Sequence, residues 1–380
     1  MPRRVAPVAC RRRVRSDAIA HPEPWVWEHS SAMTPRVIGW DVGGVNTKVA
    51  RVEGGAVRQV LSVPFEIQRA PEKLARLIAR LALEIGAEPG SHHAVTMTAE
   101  LSQFFQSKRE GVAFVLDAFE SALPDSAIQV FGTDGAFRAP EEARRLPLLS
   151  AASNWVATAS IVAQLWRDAV LLDIGSTTTD VVPVRDGEVV AVGRTDPDRL
   201  RTGELLYLGA IRTPVEAIVQ EVPLDDGMAG VAAESFALAG DVYLWRGEIS
   251  EEEYSVPTPD GRPATRAAAR GRLARVVCAD GEMLDDPAID AIAGHVARTQ
   301  VERTTRSLER VLVSHPSISL VVTAGIGSFL GRHAARQAGI ATVELGTELG
   351  EAAARSAPAA AVAILLGART GRSGILHLLP

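Results

Sequence analysis

The chain has 380 residues, of which 47% are hydrophobic and 23% charged, and its formal net charge is −6. This composition is typical of a globular protein, and the length favours two lobes because single cores stop growing at roughly 250 to 300 residues. The two cysteines, Cys10 and Cys278, exclude a disulfide framework and a multi-cysteine metal cluster, so we expect a cytoplasmic location.

The first 36 residues differ from the rest of the chain. They contain seven arginines and three acidic residues, so their local charge is +4 and the remainder carries −10. The acidic remainder argues against nucleic acid as the main partner. Residues 1–36, called the leader below, are compatible with an RNA-binding arm, a targeting segment or a mis-started translation. The last alternative rests on Met33, which directly precedes the first predicted strand. We expect disorder before about residue 34.

No membrane partner is expected from the hydrophobic pattern. The most apolar stretch, residues 357–367, is shorter than the roughly 20 residues that a helix needs to cross a bilayer. The N-terminus also has no continuous apolar region of the kind found in secretory signals. Small molecules are the expected partners, and a homodimer is left open.

The predicted elements form an α/β pattern whose opening occurs twice. From residue 37, two strands are predicted on either side of the turn DVGGVNTK, and a third follows a Gly-Gly turn. From residue 169, two strands are predicted on either side of the turn DIGSTTTD, and a third follows an Asp-Gly turn. Helices are predicted at about 71–85, 108–123, 153–166, 287–313, 328–338 and 350–366, with strands at 94–97, 127–131 and near 320 and 341. A repeat of about 130 residues predicts two related lobes.

The predicted domains follow from this repeat. Residues 1–36 form the leader, 37–168 the N-terminal lobe and 169–380 the C-terminal lobe. An insertion with weak periodicity interrupts the second lobe at about 196–285. It is interpreted as shaping a substrate pocket, although residues 255–271 fit a mobile surface loop equally well.

The two glycine turns predict a phosphate and Mg²⁺ site in a cleft between the lobes. Glycines allow close approach of an anion to backbone N–H groups, and the neighbouring polar side chains add donors. A plain hairpin would explain either turn alone, but not the pair at equivalent positions. The predicted phosphate-binding residues are Gly43, Gly44, Asn46, Thr47, Gly175, Ser176, Thr177 and Thr178. The predicted metal ligands are Asp41, Asp173 and Asp180.

Together with the later motif AGIGSFL, these turns resemble the two phosphate motifs and the adenosine motif of the actin, heat-shock-70 and sugar kinase fold. The likeness covers about residues 37–370. The segments TAELSQFFQSKREGV, TDGAF, ASNWVATA and RTDPDRLRTGELLYLGAIRTPV are more closely similar to the hydantoinase/oxoprolinase-like family, in its branch linked to tetrahydromethanopterin-dependent one-carbon metabolism and methanofuran biosynthesis. The resemblance implies two ribonuclease H-like lobes with a cleft between them.

The resemblance also implies an activity. A phenol, of γ-glutamyltyramine or of a tyrosine derivative, attacks a furanylmethyl diphosphate and releases diphosphate, with Mg²⁺ and without ATP. The alternative is an ATP-dependent kinase or an oxoprolinase-type hydrolase that uses the same motifs.

Candidate catalytic residues follow from the needs of this reaction. The phenol must lose a proton, and Glu100 and Asp134 are the two candidate bases. Lys48 and Lys108 are two of only three lysines in a chain that otherwise uses arginine, and both are candidates for phosphate binding; with Asp41 they complete the set of candidate catalytic residues. The candidate residues for binding substrate or nucleotide are Asn154, Glu204, Arg212, Gly325 and Gly327. Capping of a helix at Ser153 or Asn154 and packing around Tyr207 are the competing interpretations.

Overall fold

The structure is a computed structural model that describes residues 36–373. The predicted disorder before residue 34 lies outside the described residues. Within the described part of the chain, no helix has both the length and the apolar character needed to cross a membrane.

The first lobe contains a six-stranded sheet. Its strands are β1 (Val37–Val42), β2 (Asn46–Glu53), β3 (Ala56–Pro64), β4 (His92–Met97), β5 (Ala127–Phe131) and β6 (Phe137–Arg138). The strand order is β3-β2-β1-β4-β5-β6, with β1 antiparallel to β2 and parallel to β4. Three antiparallel strands followed by parallel strands in the order 3-2-1-4-5 is the ribonuclease H-like arrangement.

Helices α1 (Leu74–Glu84), α2 (Lys108–Ala122), α3 (Pro140–Arg145), α4 (Pro147–Ser150) and α5 (Asn154–Leu165) connect or follow these strands. Helix α1 buries Leu74, Leu77, Ile78 and Leu81, whose spacing places them on one face. The sequence predicted this helix from residue 71, but residues 71–73 form a 3₁₀ turn and the α-helix begins at Leu74. The short elements β6, α3 and α4 were not predicted.

The second lobe opens like the first. Strands β7 (Ala169–Ile174), β8 (Thr179–Arg185) and β9 (Glu188–Val189) form consecutive antiparallel pairs. Asp186 and Gly187 have φ values of 56° and 81°, which fit the tight turn predicted between β8 and β9. This turn is therefore confirmed.

The predicted insertion contains more regular structure than its sequence indicated. It holds α6 (Asp196–Thr202), β10 (Leu205–Leu206), α7 (Val215–Ile218), β11 (Glu221–Leu224), β12 (Gly227–Gly230), α8 (Ala239–Arg246) and α9 (Arg266–Arg275). The interpretation of residues 255–271 as a loop is wrong from Arg266 onward, because α9 begins there. The apolar pattern of α9 is obscured because its buried face includes Arg272, which donates to Asp241 at 2.7 Å.

The chain ends with α10 (Asp286–Ser314), β13 (Leu320–Ala324), α11 (Ser328–Gln337), β14 (Ala341–Glu344), α12 (Gly346–Leu349), α13 (Glu351–Arg355) and α14 (Ala357–Ser373). The main strands of the second sheet have the order β10-β8-β7-β13-β14, with β9 on β8, so β9-β8-β7-β13-β14 repeats the 3-2-1-4-5 order. The predicted α/β fold with two ribonuclease H-like lobes is confirmed. The helix predicted at 350–366 is present but is divided at Ser356 into α13 and α14, and Gly350 (φ 84°) caps its beginning.

Two helices pack on the sheet of the other lobe. Helix α14 packs on β1, β2 and β4 of the first sheet, although it follows the strands of the second sheet in the chain. The contact with β1 is so close that a Cβ on Gly39 would lie 2.0 Å from the carbonyl oxygen of Ala359. Helix α5 packs on β7, β8 and β9 and also on α14. Each sheet is therefore covered by the last helix of the other lobe. Helix α14 of the C-terminal lobe covers the first sheet, and α5 of the N-terminal lobe covers the second.

Candidate active site

Two hairpins with the same turn length begin the two sheets. Val42 is the last residue of β1 and pairs with Thr47, and Ile174 is the last residue of β7 and pairs with Thr179. In each turn the glycine that follows, Gly43 or Gly175, donates its N–H across the turn at 2.9 Å. The two turns predicted from the sequence therefore share one hydrogen-bonding pattern.

Four charged side chains flank these turns. In the first hairpin Asp41 lies opposite Lys48, and in the second Asp173 lies opposite Asp180. Lys48 Nζ lies 3.9 Å from Asp41 Oδ2, while Asp41 Oδ1 is buried with no hydrogen-bond partner within residues 36–373. Burial, followed by the negative charges of Asp180 and Asp41, raises the pKa of Asp173 to about 7 against the opposing effect of Lys48. The carboxylates of both lobes are therefore close enough to influence one another, and Asp41, Asp173 and Asp180 are called the carboxylate cluster below.

Asp180 is already engaged by the protein. The buried guanidinium of Arg199 donates to Asp180 Oδ1 at 2.9 Å and to the carbonyl of Glu204 at 2.8 Å, and it stacks 4.0 Å from the ring centroid of Trp155. Across the described residues, no three His, Cys, Asp or Glu side chains are arranged to hold a metal ion. The structure thus does not bring the three predicted metal ligands into one coordinating group, and it leaves Asp41 and Asp173 as the uncommitted pair.

Several predicted phosphate-binding groups remain open. A Cβ on Gly44 would meet nothing within 4 Å, and Gly44 does not have a positive φ, so neither packing nor backbone strain explains the glycine. The hydroxyl of Thr47 is buried without a hydrogen-bond partner among the residues described. The hydroxyls of Ser176 and Thr177 lie 3.4 Å apart in the second turn. The other predicted ligands, Gly43, Asn46, Gly175 and Thr178, form the backbone of the two turns.

Gly325 and Gly327 have a packing explanation. Gly325 has φ 80°, and a Cβ there would lie 2.4 Å from the carbonyl oxygen of Ile174 and 2.5 Å from Asp173 Oδ1. The N–H of Gly327 donates to the same Ile174 carbonyl at 2.8 Å. The AGIGSFL segment thus packs against the end of β7 and helps to position Asp173.

Glu100 and Lys108 form a second group of charges. Glu100 is only 2% exposed, and neither carboxylate oxygen has a hydrogen-bond partner in the described chain. Burial raises its pKa to about 7 although Lys108, whose Nζ lies 3.5 Å from Oε1, lowers it. Lys108 also donates to Asp196 of the second lobe at 2.6 Å, and the two acidic neighbours raise the pKa of its ammonium against the effect of burial. Glu100 is thus a buried carboxylate able to exchange a proton near neutral pH.

Asp134 and Glu204 are occupied by structural contacts. Asp134 accepts hydrogen bonds from Arg138 and from the N–H of Ala136, and the bond from Arg138 lowers its pKa. Both oxygens of Glu204 accept backbone N–H groups, from Val192 at 2.6 Å and Gly193 at 2.7 Å. These contacts favour the turn-forming role of Asp134 and leave the predicted substrate contact of Glu204 without support.

For Asn154 and Arg212 the structure shows backbone roles. Asn154 is the first residue of α5, and its predecessor Ser153 does not cap the helix but donates its hydroxyl to the carbonyl of Phe131 at 2.7 Å. The N–H of Arg212 donates to the carbonyl of Ser176 at 2.8 Å, so the segment after β10 supports the second turn. The Arg212 guanidinium makes no ion pair in the described residues.

Comparison with models of protein families matches residues 91–368 to the family described as Hydantoinase/oxoprolinase. This match extends over more than half of the chain. The chain belongs to the hydantoinase/oxoprolinase family. The resemblance inferred from the motifs is therefore confirmed.

Two relatives of this hydantoinase/oxoprolinase family member carry the same name, (4-{4-[2-(gamma-L-glutamylamino)ethyl]phenoxymethyl}furan-2-yl)methanamine synthase. The protein from Methanocaldococcus jannaschii is 32% identical over 309 residues, which cover 81% of this chain and 91% of the relative. The protein from Methanococcus vannielii is 33% identical over 161 residues, which cover 42% of this chain and 72% of the relative. Among solved structures, a ROK family glucokinase from Streptomyces griseus is 13% identical with a TM-score of 0.47, covering 87% of this chain and 98% of the glucokinase.

Sequence reasoning missed two charged residues that organise the site of this family member. Asp196 and Arg199 hold Lys108 and Asp180, respectively. Both lie in the segment RTDPDRL. The sequence did not indicate a role for either, because in a chain rich in arginine nothing in the pattern distinguishes a buried arginine from an exposed one. The start of α6, where Thr195 caps the helix through the N–H of Asp198, was the available signal.

Proposed function

We propose that this chain is a transferase of methanofuran-type coenzyme biosynthesis, forming an aryl ether from a furanylmethyl diphosphate and a phenol. The name shared by both relatives describes a phenoxymethyl-furan, which is such an ether. The observation that carries the proposal is Glu100, a buried carboxylate with a pKa of about 7 and no hydrogen-bond partner in the part of the chain described here. A base of this pKa suits removal of a phenolic proton near neutral pH.

The two turns would bind the diphosphate leaving group. The open backbone at Gly44 in the first turn and the half-buried hydroxyls of Ser176 and Thr177 in the second support this role. The ammonium of Lys48 would add a positive charge. Such donors stabilise the charge that accumulates on a departing anion.

The charge balance of the cluster supports a divalent cation. The carboxylates Asp41, Asp173 and Asp180 surround the cations Lys48 and Arg199, so the cluster has no excess positive charge to offer an added diphosphate. Mg²⁺ is commonly bound by one or two carboxylates together with phosphate oxygens and water, and Asp41 and Asp173 fit that requirement. When bound, Mg²⁺ would neutralise part of the charge on the leaving group.

The reaction can be written with the residues in these roles. Glu100 accepts the phenolic proton while the aryl oxygen forms a bond to the furanyl methylene carbon. The bond from that carbon to the diphosphate oxygen breaks, and its electron pair leaves with diphosphate. Lys108, held by Asp196, keeps a positive charge beside the carboxylate and the developing phenolate. No ATP is needed, because the leaving group is already activated.

The test is diphosphate release by the purified full chain. The chain is supplied with [5-(aminomethyl)furan-3-yl]methyl diphosphate and γ-glutamyltyramine or a tyrosine derivative, with and without Mg²⁺ and ATP. We expect release that requires the phenol and Mg²⁺ but not ATP, with the aryl ether as product. Phenol-independent release, or turnover only with ATP, would contradict the proposal and favour the kinase or hydrolase alternative.

A further inference from the structure

A cavity of about 280 Å³ lies between the lobes, beside Lys108. Its apolar wall includes Leu148 and Trp155 from the first lobe and Pro197 from the second. This mixed origin makes the cavity a part of the cleft rather than a gap inside either core. It is large enough for one aromatic ring but lies just below the roughly 300–1,000 Å³ typical of larger ligand sites.

The cavity connects to the site on two sides. Lys108 lines it and lies 3.5 Å from Glu100 Oε1. Trp155 also lines it, and the Arg199 guanidinium that stacks on this indole donates to Asp180 of the carboxylate cluster. A ring seated in the cavity would therefore contact Lys108, which pairs with Glu100, and Trp155, which is linked to Asp180 through Arg199.

One lining cation is uncommitted. Arg194 is exposed and makes no hydrogen bond or ion pair with any residue of the described range 36–373, whereas Lys108 is paired with Glu100 and Asp196. Exposed guanidinium groups bind carboxylates in a paired geometry. The wall also includes Ala152, whose φ of 49° is rare for a residue with a side chain and is typical of positions held for function.

We propose that this cavity is the acceptor subsite, which seats the phenol ring with its hydroxyl toward Glu100 and binds a carboxylate of the acceptor through Arg194. The proposal rests on the proposed function. It narrows the acceptor to an anionic phenol substituted opposite the hydroxyl, because the charged tail must leave the cavity on the side of Arg194.

The test measures binding without turnover. Calorimetry on the full chain compares 3-(4-hydroxyphenyl)propionate with 4-ethylphenol, which lacks the carboxylate. We expect the propionate to bind the unsubstituted chain about tenfold more tightly, because of the charge-assisted pair with Arg194. Arg194→Gln should remove this preference and leave 4-ethylphenol binding unchanged. Arg58→Gln, an exposed arginine on β3 without a partner within the described residues, is the control and should keep the preference.

A second pair of variants tests the apolar wall. Leu148 is 63% exposed, so Leu148→Ala should fold normally and weaken both phenols several-fold, whereas Leu83→Ala, 78% exposed on α1, should weaken neither. Equal effects of Arg194→Gln on both phenols, or unchanged binding in both cavity variants, would overturn the subsite. Phenol binding as expected without any diphosphate release would contradict the proposed reaction instead and leave the subsite standing.

Discussion

At the scale of single residues, the surroundings of Glu100 differ from those of Asp134, the other candidate base. Glu100 and Asp134 were equal candidates for the base because each follows a strand and precedes a turn or helix. The structure separates them, since Glu100 is buried without a hydrogen-bond partner inside the described range and Asp134 is held by Arg138. The choice between the two candidate bases depends on which side chains surround each carboxylate in the folded protein. A single sequence does not specify those neighbours.

Glu100→Gln is expected to lower kcat for diphosphate release by about 100-fold or more, because it removes the proposed base. In the unsubstituted chain, kcat/KM should rise with pH and level off above about 7, where Glu100 is ionised. Asp134→Asn should change kcat far less. Measured rates between pH 5 and 9 check this, and a Glu100→Gln enzyme with the original rate would exclude Glu100 as the base.

The same carboxylate should affect stability. Folding raises the pKa of Glu100 from an ordinary 4.5 to about 7, so the folded state favours the protonated form and loses stability as pH rises through 7. Glutamine does not titrate. The free energy of unfolding of Glu100→Gln, relative to the unsubstituted chain, should therefore increase by about 2 kcal/mol between pH 5 and pH 8. Urea titrations at both pH values measure it, and a difference that does not change with pH would contradict the burial argument.

At the scale of elements, hairpins and amphipathic helices were predictable because their signals are local. The Asp-Gly turn at 186–187 and the apolar face of α1 are examples. Helix α9 was missed because its buried face includes the ion pair between Arg272 and Asp241, which breaks the apolar pattern. The break before α14 was missed because the alanine-rich sequence around it favours helix throughout. Polar burial and tertiary packing decided these elements.

The first turn provides a prediction at this scale. Gly44→Ala should leave the melting temperature nearly unchanged, because the added Cβ meets no protein atom within 4 Å. It should raise KM for the furanylmethyl diphosphate about tenfold or more by blocking approach to the backbone. Gly271→Ala on α9, where the space is also open, is the control and should raise stability by up to about 1 kcal/mol without changing KM. An unchanged KM in Gly44→Ala would remove this turn from the diphosphate site.

At the scale of the whole molecule, the internal repeat in the sequence correctly indicated two similar lobes. It did not indicate that α14 returns to the first sheet, because the apolar face of a helix does not specify which sheet it covers. The closest contact of this return is Gly39 against Ala359.

Gly39→Ala tests that contact. A Cβ 2.0 Å from a carbonyl oxygen must displace α14 from β1, and we expect a loss of about 1 to 3 kcal/mol in the free energy of unfolding. Gly367→Ala in the same helix is the control, because its nearest neighbour would be 3.7 Å away. Equal stability of the two variants in urea titrations would show that the helix tolerates the displacement.

The return of α14 also bears on when the protein folds during its synthesis. The ribosome releases β1, β2 and β4 early, yet the helix that covers one face of their sheet is among the last segments to emerge. Until then that face of the nascent sheet is without its helical cover. Completion of the N-terminal half therefore waits for translation of almost the entire described chain, and a polypeptide stalled before α14 presents a bare apolar surface to chaperones.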